Sequence, residues 1–268
     1  MTSLIARFRS RRDEQRAPGS GDWSYDQKAW REPFELLRKK WVEVPAGADR
    51  LRTDDLLRLS DAELRTRWEA CRAGAAHGEM YSVRGWYYTL YRDVLRGKRV
   101  VDVGSGLGFD AITFARAGAR IICADIVESN LCLIQRIAKL EGLDAMEFLY
   151  LEDLSSYASL PEVDIVWCQG SMISAPFAIA KEEATCLLDR LPVDGRWSEL
   201  AYPRERWLRD GRLHPTRWGE RTDGGAPWIE WYDLEKLQRR LAAGKFEPVL
   251  ALNFHDDDFN WFDLLRVA

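Results

Sequence analysis

The stretch V-D-V-G-S-G-L-G-F-D, residues 101–110, decides the fold of this chain. A β-branched apolar run at residues 99–103 leads into it, and a helical pattern follows at residues 110–117. Glycines at a strand-to-helix turn let the backbone come close to a ligand, and the start of the helix offers free N–H groups. The stretch therefore predicts a ligand-binding turn at the carboxyl end of a buried strand.

A second strand, predicted at residues 120–124, ends at Asp125, about twenty residues after the turn. A carboxylate at this place can hold the two hydroxyls of a ribose. The dinucleotide fingerprint G-x-G-x-x-G/A would need Gly or Ala at position 109, where Phe109 stands. The ligand is therefore expected to be nucleoside-like but not a dinucleotide.

The spacing D-x-G-x-G-x-G resembles the first motif of the class I S-adenosylmethionine-dependent methyltransferases. In that family the glycines approach the methionine part of the cofactor, and the acid organises the loop. The resemblance implies these roles for Asp102 and for Gly104, Ser105, Gly106 and Gly108. It makes S-adenosylmethionine the expected cofactor.

Further segments are similar to the same family. The resemblance implies that Asp125 binds the ribose and that Ile126 packs on the adenine. Asp153 and Leu154, after the third predicted strand, resemble the segment in which an acid reaches the exocyclic amine of the adenine. Gln169 ends the fourth strand, where it would face the transferred methyl group.

Alternating strands and helices predict an α/β fold with a mostly parallel sheet covered by helices on both faces. The predicted strands are at residues 99–103, 120–124, 146–151, 163–168, 196–201, 248–253 and 261–267. The last two are separated by a loop too short for a crossover helix, so they must form an antiparallel hairpin. The expected fold class is a Rossmann-like, doubly wound, seven-stranded sheet with this hairpin at its end.

The rest of the chain suggests additions to one core domain. Residues 1–22 are predicted to be a flexible leader, and residues 23–95 an N-terminal helical cap. The core spans residues 96–268. Within it, residues 202–228 are rich in Pro, Gly, Arg and Trp, which predicts an irregular lid over the ligand crevice.

Composition excludes some classes of function. The net charge of −4 and the pI of about 5.6 argue against a dedicated nucleic-acid-binding protein. No apolar run is long enough to span a bilayer. The five cysteines match no zinc pattern and no complete disulfide framework, so we expect reduced thiols in a cytoplasmic protein. Monomer and homodimer remain open, and no metal site is predicted.

Three candidate residues face the predicted crevice outside the cofactor motif. Arg84 precedes the first strand by a distance at which enzymes of the resembled family close a helix over the cofactor, so the resemblance implies that it could pair with the methionine carboxylate. His255, in the hairpin turn, and His214, in the lid, are candidate bases or substrate contacts. The alternative for each is an ordinary surface or turn residue.

The expected activity is methyl transfer to a small molecule, because no separate RNA- or protein-binding domain is recognisable. An acceptor nitrogen and an acceptor oxygen are both compatible with the sequence, as in a natural-product or aminosugar-type metabolite. The acidic turn at residues 256–258 favours an amine-bearing acceptor, whereas the lid arginines favour an anionic one. The alternatives are a methyltransferase acting on RNA or protein, and a non-catalytic regulator that binds the cofactor.

Overall fold

The computed structural model describes residues 31–42, 52–77, 84–222 and 225–268. The predicted leader, residues 1–22, lies outside this part of the chain. In the described residues no helix is both long and apolar enough to cross a membrane.

In the described residues of the predicted N-terminal cap, the structure shows helices. They are α1 (Arg31–Trp41), α2 (Thr53–Leu57), α3 (Asp61–His77) and α4 (Gly85–Leu95). Ser60 and Glu63 form a capping box before α3, with the Ser60 amide 3.0 Å from a Glu63 carboxylate oxygen. Gly74 lies within α3, which the helix tolerates because one glycine costs it only about 1 kcal/mol.

The core alternates strands with helices. The strands are β1 (Arg99–Val103), β2 (Arg120–Asp125), β3 (Glu147–Tyr150), β4 (Ile165–Gln169), β5 (Arg196–Ala201), β6 (Phe246–Phe254) and β7 (Phe259–Arg266). The helices are α5 (Phe109–Arg116), α6 (Glu128–Leu140), α7 (Phe177–Leu188), α8 (Arg204–Arg209), α9 (Pro215–Thr222) and α10 (Leu234–Arg240). Short 3-10 turns lie at Leu154–Ser159 and Met172–Ser174.

The strands form one seven-stranded sheet in the order β3-β2-β1-β4-β5-β7-β6. Neighbours from β3 to β5 pair in parallel, and β7 pairs antiparallel with both β5 and β6. The predicted doubly wound sheet with its terminal hairpin is confirmed. Because β6 runs parallel to β5, the turn between β6 and β7 lies at the same edge of the sheet as the carboxyl ends of β1 to β5.

The inner strands β1, β2, β4 and β5 are buried on both faces, so their side chains alternate between two apolar clusters, whereas the edge strand β6 is largely exposed. Val101 and Val166 face the side that carries α7 and α10. Val100, Ile165 and Trp167 face the side that carries α4, α5 and α6. This arrangement leaves the carboxyl-end edge of the sheet as the place for a ligand crevice.

Candidate active site

The glycine turn leaves β1 and enters α5 through backbone conformations that favour glycine. Gly104, Gly106 and Gly108 all have positive φ, at 68°, 55° and 73°. A Cβ on Gly104 would lie 2.4 Å from the Cβ of Ser171, so no side chain fits there. Ser171 also donates a 2.6 Å hydrogen bond to the Val103 carbonyl, which ties the ends of β1 and β4 together.

Asp125 joins this turn to the end of β2. Its Oδ2 accepts a 2.8 Å hydrogen bond from the Gly106 amide, and its Oδ1 accepts one of 2.8 Å from the Val127 amide. A longer contact of 3.4 Å comes from Asn130 Nδ2. Burial raises the pKa of Asp125 to about 6, although these donors oppose the shift. The carboxylate is therefore ionised at neutral pH and held in one orientation.

Asp102 lies in β1 below the turn and is buried. Burial, followed by the neighbouring charge of Asp110, raises the pKa of Asp102 well above its usual range. Its backbone carbonyl accepts a 2.7 Å hydrogen bond from the Ser105 hydroxyl. Asp102 and Ser105 thus hold the turn from beneath, at the place where the motif predicts a loop-organising acid.

The segment after β3 lies under α1. Arg38 of α1 donates hydrogen bonds to the carbonyls of Leu151, at 3.0 Å, and Glu152. The Asp153 carboxylate accepts from the Ser155 amide at 2.7 Å and so caps the following 3-10 turn. Leu154 packs against the core cluster. Asp153 itself is exposed.

An apolar cluster joins the N-terminal cap to the end of the predicted lid. Its buried centre consists of Leu37 in α1, Trp228 in the lid, and Ala175, which precedes α7. Trp41 and Ile126 pack against this centre. The residue that follows Asp125 therefore lies directly beneath the contact between the cap and the lid.

Arg84 and Gln169 are in direct contact at the other end of the crevice. Arg84 Nη2 donates a 2.6 Å hydrogen bond to Gln169 Oε1, and Arg84 Nη1 forms an ion pair with Asp110. Asp110 also accepts from Tyr88 and from the Trp167 indole, at 2.7 and 2.8 Å. The sequence analysis did not select Asp110 as a site residue. An acid in the first turn of a helix, in a chain with an aromatic run such as Trp86-Tyr87-Tyr88, is a signal that could have indicated it.

The two candidate histidines occupy different places. The His214 ring lies edge-on to Trp228, with ring centroids 5.5 Å apart, and its Nδ1 is 2.9 Å from the Thr216 hydroxyl. The His255 ring contacts Phe254 and Phe259 of the hairpin. His214 thus lies beside the apolar cluster that joins the cap to the lid, whereas the ring contacts of His255 are within the hairpin.

The hairpin turn is fastened to the lid by arginines. Arg209 forms an ion pair with Asp258 and donates a 2.7 Å hydrogen bond to the Asp256 carbonyl. His255, Asp256 and Asp257 all have positive φ, between 52° and 65°, which is an unfavourable backbone conformation for residues other than glycine. Asp258 is thus already paired with Arg209, whereas the side chains of Asp256 and Asp257 are exposed.

The lid is more regular than its composition suggests, because it contains α8 and α9. Trp207 and Trp218 are buried inside it, and their indole nitrogens donate at 2.8 Å to the Leu213 carbonyl and to an Asp210 carboxylate oxygen. These two tryptophans are core residues of the lid and not surfaces for stacking on a substrate. Trp228 is the lid tryptophan that reaches the crevice.

Solved structures with the same fold are numerous, although no protein-family model and no curated protein matches the sequence. Geranyl diphosphate C-methyltransferase from Streptomyces coelicolor A3(2) is 13% identical, with 88% of this chain and 98% of that chain covered at a TM-score of 0.57. Magnesium protoporphyrin IX methyltransferase from Synechocystis PCC 6803, bound to S-adenosylhomocysteine, is 17% identical, with coverages of 90% and 100% and a TM-score of 0.56. The [4+2]-cyclase SpnF is 16% identical, with coverages of 70% and 82% and a TM-score of 0.53.

These likenesses establish the class of fold. The chain has the class I S-adenosylmethionine-dependent methyltransferase fold, as the motif at residues 102–108 predicts. A fold of this kind carries more than one chemistry, so the function has to be argued from the site.

Proposed function

We propose that the protein binds S-adenosylmethionine and transfers its methyl group to a nitrogen or oxygen atom of a small molecule. The observation that carries this proposal is the hydrogen bond between the Gly106 amide and Asp125. It joins a left-handed glycine turn to a buried carboxylate at the carboxyl ends of two neighbouring parallel strands. That junction is where an open α/β sheet binds nucleoside-like ligands.

The chemistry of the junction fits the cofactor. An ionised carboxylate has about four lone-pair positions. The two short hydrogen bonds to Asp125 use one on each oxygen, which leaves acceptor capacity for ribose hydroxyls. Ile126 supplies an apolar surface for the adenine, with Asp153 and Leu154 at its polar edge.

The methionine end of the cofactor would lie along the glycine turn. Gly104, Ser105, Gly106 and Gly108 would approach it with backbone atoms, while Asp102 holds the loop from below. Arg84 and Gln169 lie at the far end of the turn and are the side chains that would meet the carboxylate and the reacting centre.

When bound, S-adenosylmethionine supplies a methyl group attached to a positively charged sulfur. The glycine turn and Asp125 would hold this cofactor, which would supply an electrophilic methyl whose bonding electron pair is left on sulfur. The protein's part is to align the acceptor with the bond between sulfur and the methyl carbon and to exclude water. The apolar cluster that contains Leu37 and Trp228 supports the second task.

A hydroxyl acceptor needs a base for its proton, and a neutral amine needs much less help. His214 is the better-placed candidate, because it contacts Trp228 at the closed end of the crevice. His255 is the second candidate and requires an acceptor that extends to the hairpin. Gln169 would orient the acceptor through its amide.

The acceptor is proposed to be small, because the cap and the lid meet above the crevice. A natural-product or aminosugar-type metabolite that carries an amine would suit the exposed carboxylates of Asp256 and Asp257. These charges attract a cation without needing close contact, since exposed charges interact through solvent over a Debye length of about 8–10 Å.

The decisive experiment is to incubate the protein with methyl-labelled S-adenosylmethionine and three separate pools, namely a metabolite extract, total RNA and a protein extract. Label that enters the metabolite pool supports the proposal. Label confined to RNA or protein would favour a macromolecular substrate instead. Tight cofactor binding with no transfer to any pool would indicate a regulator, or a fold relative with a different reaction.

A further inference from the structure

A buried carboxylate at the start of α5 gathers donors from two other parts of the fold. Asp110 is only 3% exposed. It is ion-paired with Arg84 Nη1 and accepts hydrogen bonds from Tyr88 at 2.7 Å, Trp167 at 2.8 Å and Tyr87 at 3.1 Å. Burial raises the pKa of both tyrosines, so they stay protonated and donate. A buried charge needs this degree of pairing to be tolerated.

Arg84 differs from the other three donors because it also reaches the crevice. Its side chain keeps 20% of its surface exposed, while Asp110 is fully enclosed. Its Nη2 donates to Gln169 Oε1 at the end of β4, 2.6 Å away. Asp110 therefore fixes one nitrogen of the guanidinium, Nη1, while Nη2 is bonded to Gln169 at the carboxyl end of β4.

The same contact sets the direction of the Gln169 amide. Because Oε1 accepts from Arg84, the donor nitrogen Nε2 occupies the other branch of the amide. The groups presented at this end of the crevice are then guanidinium and amide N–H groups, which are donors only. A donor-only pair with one positive charge complements a carboxylate.

The geometry points to Asp110 as a positioning residue that, through Arg84 and Gln169, shapes a subsite for the α-carboxylate of the cofactor. This inference rests on the proposed function, since it assumes that the cofactor's methionine end lies along the glycine turn. Asp110 does not touch the ligand in this scheme. It acts by holding Arg84 in one orientation.

Two ligands separate this role from a merely structural one. S-adenosylhomocysteine carries the amino-acid end, and 5′-methylthioadenosine has the same adenosine and thioether but no carboxylate. Calorimetry with both ligands should show that Asp110→Asn weakens binding of S-adenosylhomocysteine by about tenfold or more. The affinity for 5′-methylthioadenosine should change less than twofold.

A double-mutant cycle tests whether Asp110 acts through Arg84. Arg84→Met and the double variant Arg84→Met/Asp110→Asn should bind S-adenosylhomocysteine equally weakly, because the second change has nothing left to position. Tyr91→Phe is the matched control. It removes a buried hydroxyl from α4, the helix that follows Arg84, where this hydroxyl donates to Asp263 at 2.7 Å. The ratio of the affinities for S-adenosylhomocysteine and 5′-methylthioadenosine should stay unchanged.

Equal losses for both ligands in Asp110→Asn, or additive losses in the cycle, would overturn the inference and leave the cofactor assignment intact. A wild-type protein that binds neither ligand would overturn the proposed function itself. If Asp110→Asn does not fold, Arg84→Lys takes its place. Lysine keeps the charge but cannot bridge Asp110 and Gln169, so the selective loss is again expected, and an equal loss for both ligands counts against the inference.

Discussion

The Gly106 amide lies 2.8 Å from Oδ2 of Asp125, so the glycine turn after β1 and the acid at the end of β2 form one hydrogen-bonded unit. Asp125 accepts this backbone N–H of the turn, and the turn, together with the Val127 amide, helps to orient the Asp125 carboxylate.

Replacing Asp125 with Ala is expected to weaken binding of S-adenosylhomocysteine about tenfold to a hundredfold. The reason is that lost hydrogen bonds to a charged group cost about 1.5–3 kcal/mol, which corresponds to that range of dissociation constants. Calorimetry measures it, with Asp144→Ala, an exposed loop aspartate, as the control. Unchanged affinity in the Asp125 variant would remove the basis for the cofactor site.

Cofactor affinity should fall as the pH drops through about 6, the pKa to which burial raises Asp125. Ribose hydroxyls donate to the ionised form, so binding is strongest above this pKa and loses up to about tenfold per pH unit below it. Calorimetry from pH 5 to 8 tests this, and Asp125→Asn should abolish the pH dependence.

The raised pKa of Asp125 has the opposite effect on folding stability, which it lowers as the pH rises. The folded protein binds a proton on Asp125 more tightly than the unfolded chain, whose value is 3.8. The stability associated with this group is therefore present below about pH 4 and is lost as the pH rises to about 6.

For the binding prediction, a cofactor affinity of the wild-type protein that does not change from pH 5 to 8 would contradict the raised pKa of Asp125.

Two glycines in helices should respond to alanine in opposite directions. A Cβ on Gly219 of α9 would lie 2.3 Å from the Ala226 carbonyl oxygen, so Gly219→Ala should destabilise the protein by about 1–3 kcal/mol. Gly74 of α3 has no neighbour within 4 Å of such a Cβ, and Gly74→Ala should stabilise by about 0.5–1 kcal/mol. Denaturant unfolding compares them. Equal stabilities would mean that the lid is not packed as described.

Once an acceptor is identified, changing Asp256 and Asp257 to Asn should raise its KM if it carries an amine. The effect should weaken with added salt, since the two carboxylates are exposed. Asp258→Asn is the comparison variant, because Asp258 is already paired with Arg209 and should alter KM less. Cofactor affinity should not change in any of the three. Identical kinetics in all variants would leave the turn without a role in recognition.

Local patterns predicted most of the fold. The strand–turn–helix pattern around residues 101–110 and the acid at the end of the next strand are each read from a local pattern, and the structure places Gly106 and Asp125, 19 residues apart in the chain, in contact. The short loop before β7 likewise implied an antiparallel pair, which is confirmed, with both strands longer than predicted. Helix α7 begins at Phe177, directly after Pro176.

Features that depend on distant contacts were not predictable in the same way. Asp110 receives its partners from residues 22 and 57 positions away, Tyr88 and Trp167, and no local pattern reports such an arrangement. The lid composition predicted irregular chain, but its tryptophans find partners inside the lid and order it into two helices. The separation of His214 from His255 also follows only from packing.

The position of β7 between β5 and β6 has a consequence for how the chain assembles. During synthesis β6 emerges before β7, yet it has no partner in the sheet until residues 259–266 arrive and pair on both sides. Until then the edge of β5 that pairs with β7 has no partner strand, and the core lacks Trp261, which is fully buried in the finished sheet. Such late pairing is slow and leaves strand edges open to other chains. The growing chain is therefore most exposed to wrong strand pairing before β7 has been made.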